Sequence, residues 1–191
     1  MKYHKLLKLI TEYIQVNDAD IKLVETLFEP ITFQKNDLLE EINKIAKYLY
    51  FINSGFVRVF YLQDGNEITT HINCPPGFIT SFNSFVTLSA ANDNVKTITS
   101  CELLRITKKN FDTLNSHSQK WADFGKIIYE RSLLYNEQRT NDLLTLSAEQ
   151  RYLKLLSTQP EIVQNVPLQY ISSYLGIEPQ SLSRIRKKII S

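Results

Sequence analysis

Gln180, Ser181, Ser183, Arg184, Lys187 and Lys188 crowd into one short segment near the end of the 191-residue chain. An amide and a guanidinium four residues apart share one face of a helix, where they can pair with the edges of adenine and guanine. The hydroxyls and ammonium groups around them suit phosphate oxygens. Gln169, upstream, adds an amide at a phosphate-facing position. These residue types permit the reading of a nucleic-acid duplex and not the making of bonds.

The elements that must hold them lie between Val166 and Ser191. Pro167 suits the first position of a helix, where its missing N–H costs nothing, and Leu168, Ile171 and Leu175 recur at helical spacing as one buried stripe. Gly176 can take the left-handed conformation that ends a helix, and Pro179 can start the next. In that second helix Leu182, Ile185 and Ile189 fall on one side and Gln180, Arg184, Lys187 and Lys188 on the other, with Ser181 and Ser183 flanking. The pattern is that of a helix-turn-helix whose second helix reads DNA. The competing reading is an ordinary amphipathic hairpin with a solvated basic face. The Gly and Pro punctuation weighs against it more than the charges do.

The net charge of +2 is too small to announce nucleic acid, but its distribution is uneven. From Ser147 onward six cations stand against three acids, and four of the five residues from Arg184 to Lys188 are basic. The rest of the chain is slightly acidic. A hydrophobic content of 43% is ample for a packed core. The two cysteines, Cys74 and Cys101, are far apart and outside any metal-binding spacing, which points to a reducing cytoplasm and to small buried side chains. Lys5, Lys8 and Glu12 interrupt the apolar N-terminus, so it reads as an amphipathic helix and not a signal peptide, and no run is long enough to span a membrane. His4, His71 and His117 sit in separate elements, and no nucleophile and base stand together; enzymatic activity, including that of a metal-dependent β-roll, is not expected.

Taken in order, residues 2–28 read as two helices, the second entered through Asn17 and Asp18. From Ile31 the segments ITFQ, YLYFIN, FVRVFYL, EITTHIN, VKTIT and LLRIT are short, β-branched and aromatic, and separated by turn residues. Asn53, Ser54 and Gly55 join two of them, Asp64-Gly65 is a hairpin signal, and Pro75, Pro76 and Gly77 break the next connection. A double-sheet antiparallel roll closes such strands with few exposed edges. Between Phe78 and Asn94 a short helix and loop are expected, placed to cradle a small ligand. From Lys108 the helical period returns and continues, with a break near Ser116 to Ser118, to about Leu146. In this long helix Trp121, Phe124, Ile128 and Tyr135 keep coiled-coil-like spacing, and the continuation through Arg131, Gln138 and Asp142 is polar; one half is read as packing on the roll and the other as a partly polar dimer seam, with a wholly intramolecular helix as the alternative. Ser147 and Gln150 form a capping box that begins a new unit.

The segments FINSGFVRVFYLQDGNEITTHINCPPGFI, CELLRITKKNF and PLQYISSYLGIEPQSLSRIRKKI, in this order, give a sequence that resembles the Crp/Fnr family of bacterial transcription regulators over essentially its whole length. The resemblance implies an α+β fold: an N-terminal antiparallel β-roll of the jelly-roll, cyclic-nucleotide-binding-like type with flanking helices (1–116), a long dimerisation helix (117–146) and a small C-terminal helix-turn-helix domain (147–191). With the chain ending at Ser191, that last domain is expected to lack the β-hairpin wing many relatives carry. Double-stranded DNA and a second copy of the chain are the implied partners, RNA polymerase is left open as a third, and no membrane is involved.

In the family's cyclic-nucleotide binders a Gly-Glu after Phe-Ile and an Arg-Ser/Thr pair further on hold the ribose and cyclic phosphate. The matching positions here are Thr80 and Ser81, then Ala91 and Asn92. Ala91 cannot supply the charge-assisted contact, whose truncation typically costs about 2–5 kcal/mol, and Lys96 on a nearby strand is a poor substitute. Cyclic AMP binding is therefore not expected. An effector pocket around Phe78, Ile79, Thr80, Ser81, Ala91 and Asn92 would take an unidentified small molecule, with no cofactor. Iron-sulfur sensing needs about four cysteines, and His71 inside a strand is a poor haem ligand. The readings that compete with a DNA-binding regulator are a ligand-binding or protein-interaction module that leaves DNA alone, and a cupin-type enzyme.

Overall fold

The computed structural model describes residues 2–190; Met1 and Ser191, the outer bounds of the first and last expected segments, lie outside the described residues. The chain opens with α1 (His4–Thr11) and α2 (Asp18–Leu27). The strands β1 (Glu29–Phe33), β2 (Leu38–Glu40), β3 (Tyr48–Ser54), β4 (Val57–Gln63), β5 (Asn66–Asn73) and β6 (Gly77–Ile79) follow. After α3 (Phe82–Thr87) come β7 (Asn94–Thr97), β8 (Cys101–Thr107), α4 (Lys108–His117) and α5 (Gln119–Thr145). The last four elements are α6 (Ala148–Thr158), α7 (Pro160–Asn165), α8 (Leu168–Leu175) and α9 (Pro179–Ile190).

The strands form two four-stranded antiparallel sheets, in the orders β1-β8-β3-β6 and β2-β7-β4-β5. Their inner faces meet through Tyr50, Ile52, Val57, Val59, Ile79, Val95 and Leu103, which fill the roll. Local chemistry fixes the turns. Asp64 and Gly65 both have positive φ, 51° and 79°, the signature of the type I′ turn whose twist matches a hairpin. At Gly55 φ is 91°, and a Cβ there would lie 2.4 Å from the Ser100 carbonyl oxygen, so only glycine can pass. β2 and β6 are absent from the sequence-based list of strands because three residues are too few to show alternation, and each lies at the edge of its sheet.

A second core lies outside the roll, where Leu6, Ile10, Val24, Phe28, Phe111, Leu114, Trp121 and Phe124 pack on the outer side of β3 and β8. Its polar tie is Asp20. This buried carboxylate accepts the Asn17 amide (2.8 Å) as half of a capping box, the Trp121 indole N–H (3.1 Å) and the Lys120 ammonium. Burial works against its charge, but these three donors together hold the carboxyl below its ordinary range.

Ser118, in an extended conformation, interrupts α4 and α5 at the expected break. With 27 residues α5 is about 40 Å long at ~1.5 Å per residue. Its first half is buried through Trp121, Phe124 and Ile128; its second half leaves Leu133, Leu134 and Leu144 at 66%, 61% and 81% exposure. The Ser147–Gln150 capping box starts α6. Pro167 stands one residue outside α8, as its N-cap with ψ of 138°, and not at the first helical position expected from the sequence. The core of the last four helices, built on Tyr152, Leu155, Ile162, Ile171, Leu175 and Leu182, is continuous with Ile72 and Ile98 of the roll.

Candidate nucleic-acid interface

α8 ends at Gly176, whose φ of 67° and amide bonds to Ser172 and Ser173 carbonyls form a left-handed C-cap. α9 then starts at Pro179. Leu182 is fully buried and Ile185 and Ile189 pack beside it, so the opposite face of α9 points away from the core. That face carries Gln180, Arg184, Lys187 and Lys188, all exposed.

The other expected site residues divide by their bonding. Ser181 and Ser183 are half-buried, and the Ser183 hydroxyl donates back to the Pro179 carbonyl (3.0 Å), leaving its lone pairs for an outside donor. Gln169 is exposed on the first turn of α8. Lys188 is held by Glu149 of α6 through both carboxylate oxygens, at 3.0 and 2.9 Å. Gln180, Arg184 and Lys187 therefore form the outward stripe, and Lys188 also braces α9 against α6. Arg151, not singled out in the sequence, donates to the carbonyls of Leu175 (3.0 Å) and Leu146, supplying the ends of α8 and α5 with donors the helices themselves lack.

α8 is clasped to the roll by residues that no local motif marks. β5 is the edge strand of its sheet, and Ser173 covers that edge: its Oγ accepts the Thr69 amide (2.8 Å) and donates to the Glu67 carbonyl (3.1 Å). Beside it the buried Arg58 guanidinium lies between the rings of Phe60 and Tyr170, at 4.1 and 3.8 Å, and is ion-paired with Glu67. The alternation of β4 puts Arg58 and Phe60 on its outer face, but nothing in the sequence reveals that α8 covers it. Next, the Tyr174 hydroxyl meets that of Tyr135 on α5 (2.9 Å), while Arg139 lies over the Tyr174 ring at 4.1 Å and reaches the Thr69 carbonyl. His71 stacks on Tyr135 and bonds to Asn136 Oδ1 at 2.9 Å.

The six residues named for an effector pocket point in different directions. Phe78 faces outward, packing edge-on against Phe51 and Phe124, whereas Ile79 enters the roll interior. The Thr80 hydroxyl donates to the Tyr48 carbonyl (2.7 Å), and buried Ser81 precedes α3. Ala91 is buried with its backbone paired to Asn43 and Lys44, and Asn92 is exposed. Sequence reasoning passed over Asp93 beside them, whose carboxyl oxygen Oδ1 is buried without a partner; burial raises its pKa.

Among the described residues no group of three or more His, Cys, Asp or Glu is placed to hold a metal ion, and no helix is long and apolar enough to cross a membrane.

Residues 30–118 match the family model of the cyclic nucleotide-binding domain. No curated protein matches the sequence. Among solved structures the chain is similar to the global regulator CLP of Xanthomonas campestris (TM-score 0.66, 20% identity, 91% of each chain covered). It is also similar to FixK2 of Bradyrhizobium japonicum (0.71, 15%, 85% of this chain and 84% of that one) and to the catabolite activator protein of Thermus thermophilus (0.58, 17%, 93% and 85%). The roll is thus a match to the cyclic nucleotide-binding domain, set in a chain that shares its fold with these three proteins over most of its length.

Proposed function

We propose that this chain is a sequence-specific, DNA-binding transcription regulator of the Crp/Fnr type that works as a cytoplasmic homodimer and does not respond to cyclic AMP. The observation that carries the reading is the split of α9, with Leu182 buried beneath an exposed stripe of Gln180, Arg184 and Lys187. In a helix-turn-helix, Arg184 pairs with guanine and Gln180 with adenine in the major groove, while Lys187, Lys188, Ser181, Ser183 and Gln169 hold phosphates. The exposed leucines on the second half of α5 supply an apolar seam for a second copy, which would set two readers about 34 Å apart on a pseudo-palindromic site.

Insensitivity to cyclic AMP follows from the chemistry beside α3. Ala91 offers no cation, and Asp93 next to it would bring a carboxyl group against a cyclic phosphate. Selection of binding sites from random duplexes by the purified chain tests the reading: an enriched palindromic motif, unchanged by cyclic AMP, is expected. Binding without sequence preference, or a motif that requires cyclic AMP, would overturn it.

A further inference from the structure

A cavity of about 280 Å³ lies outside the roll, between the Pro75-Pro76-Gly77 turn, α1 and the middle of α5. It is just below the usual size range of small-molecule sites, which begins at about 300 Å³. It is separate from the roll interior, which Tyr50, Val59 and Ile79 fill. Its walls are mostly aromatic and apolar, with Phe78, Phe82, Phe124 and Ile128 among them, and Asn73, Ser132 and Gln159 add neutral polar groups. Among the described residues no Asp, Glu or Lys lines it, and the Arg131 guanidinium is its one permanently charged group. Arg131 donates to the Tyr13 hydroxyl (2.9 Å), and among the described residues no carboxylate pairs with it. His71, also in the wall, adds no charge at neutral pH, because burial and then Arg139 hold its imidazole at about 4.

We infer that this cavity binds a small aromatic monocarboxylate, its ring among the phenylalanines and its carboxylate on Arg131. A single guanidinium with no acid nearby balances one negative charge, and its planar fork matches a carboxylate. The phenylalanine-rich part of the wall rewards a ring. Gln159, at the junction of α6 and α7, closes one side, and Tyr135 in the wall also bonds to Tyr174 of α8. An occupant would therefore touch the roll, α5 and the C-terminal helices together. Its standing as the effector rests on the regulator reading; its binding does not.

The test uses the full chain without DNA. Calorimetry and ligand-observed NMR are run with benzoate, phenylacetate and indole-3-acetate, and with the corresponding amides. At least one acid is expected to bind saturably, with its amide roughly tenfold weaker or worse. Arg131→Gln, at an exposed position that leaves the core intact, should weaken the acid by a similar factor, and Arg131→Lys should recover part of it. Failure of all three acids up to about 5 mM, equal binding of acid and amide, or an unaltered Arg131→Gln would each overturn the assignment. DNA binding is measured separately. Acid binding that persists in a chain without sequence-specific DNA binding would keep the site and overturn the regulator reading.

Discussion

Ser173 completes the hydrogen bonding of a strand it does not belong to: its hydroxyl accepts from the Thr69 amide and donates to the Glu67 carbonyl on the open edge of β5. One side chain thus does for the edge what a further strand would do, and it fixes α8 on the roll. Ser173→Ala removes both bonds and leaves a partly buried amide without a partner, so a loss of about 1–2 kcal/mol is expected. Urea unfolding gives the magnitude. Amide exchange locates it: Thr69 should lose protection while Leu103 and Leu104, in the middle of the other sheet, keep theirs.

Arg58 makes the stronger claim on α8, because its plane is stacked between Phe60 and Tyr170. Lysine keeps the charge but has no plane to stack. Arg58→Lys should cost about 1–2 kcal/mol in an otherwise unaltered chain, within the range of desolvated cation–π contacts, and far less in a Tyr170→Leu background. Additive losses would show that the Tyr170 ring contributes nothing through Arg58.

These two clasps also mark where the sequence stops being legible. The strand segments, the Asp64-Gly65 turn, the break at Ser118, the Ser147–Gln150 box and the Gly176 cap are all written in neighbouring residues, and so is the split of α9 into buried and exposed faces. Ser173 and Thr69 are 104 residues apart, and a serine in a helix carries no sign of the strand edge it will cap. The same holds for Arg131. Its place in a heptad-like run suggests a polar seam, and only the packing of α1 and the Pro75-Pro76-Gly77 turn beside it creates a cavity at its guanidinium. Asp142, on the same polar continuation, is paired with Lys154 of α6, a contact the spacing does not reveal.

His71 predicts a pH dependence. Burial, and next the Arg139 guanidinium, hold its imidazole at about 4 against an ordinary 6.5, with the bond to Asn136 opposing them. Unfolding restores the ordinary value. Between these limits the unfolded chain binds a proton that the folded chain refuses, so stability falls as the pH drops through that window. His71→Gln keeps an amide donor toward Asn136 without a titrating ring. Its unfolding free energy should fall less than that of the native chain between pH values of about 7 and about 5. Equal losses in the two proteins would assign the dependence to the carboxylates.

Leu133, Leu134 and Leu144 are each more than half exposed on α5, so most of their apolar surface is left uncovered by the described residues. In a homodimer they would be covered. Leu134→Glu places a charge in that seam and should shift the chain to monomer in sedimentation velocity without lowering its helix content, whereas Glu137→Gln on the same segment should leave the oligomeric state unchanged. A native chain that sediments as a monomer at micromolar concentration would remove the seam altogether.

Arg184 and Lys187 differ in what they can read, although both are exposed on one face of α9. A guanidinium can span the O6 and N7 acceptors of guanine, and its loss costs about 1–3 kcal/mol on the matched base pair while doing little on others. An ammonium on a phosphate ignores sequence and releases about one counterion, so its loss weakens all duplexes alike and reduces the slope of affinity against salt by about 1. Arg184→Ala should therefore flatten the selected motif at one position in each half-site, and Lys187→Ala should preserve the motif while lowering the salt slope. Both side chains are exposed and Leu182, at 0% exposure beneath them, is left in place in both variants, so the core of the C-terminal helices is not altered. If both variants lose affinity equally on selected and random DNA, Arg184 acts on phosphate and the base-reading role passes to Gln180 alone.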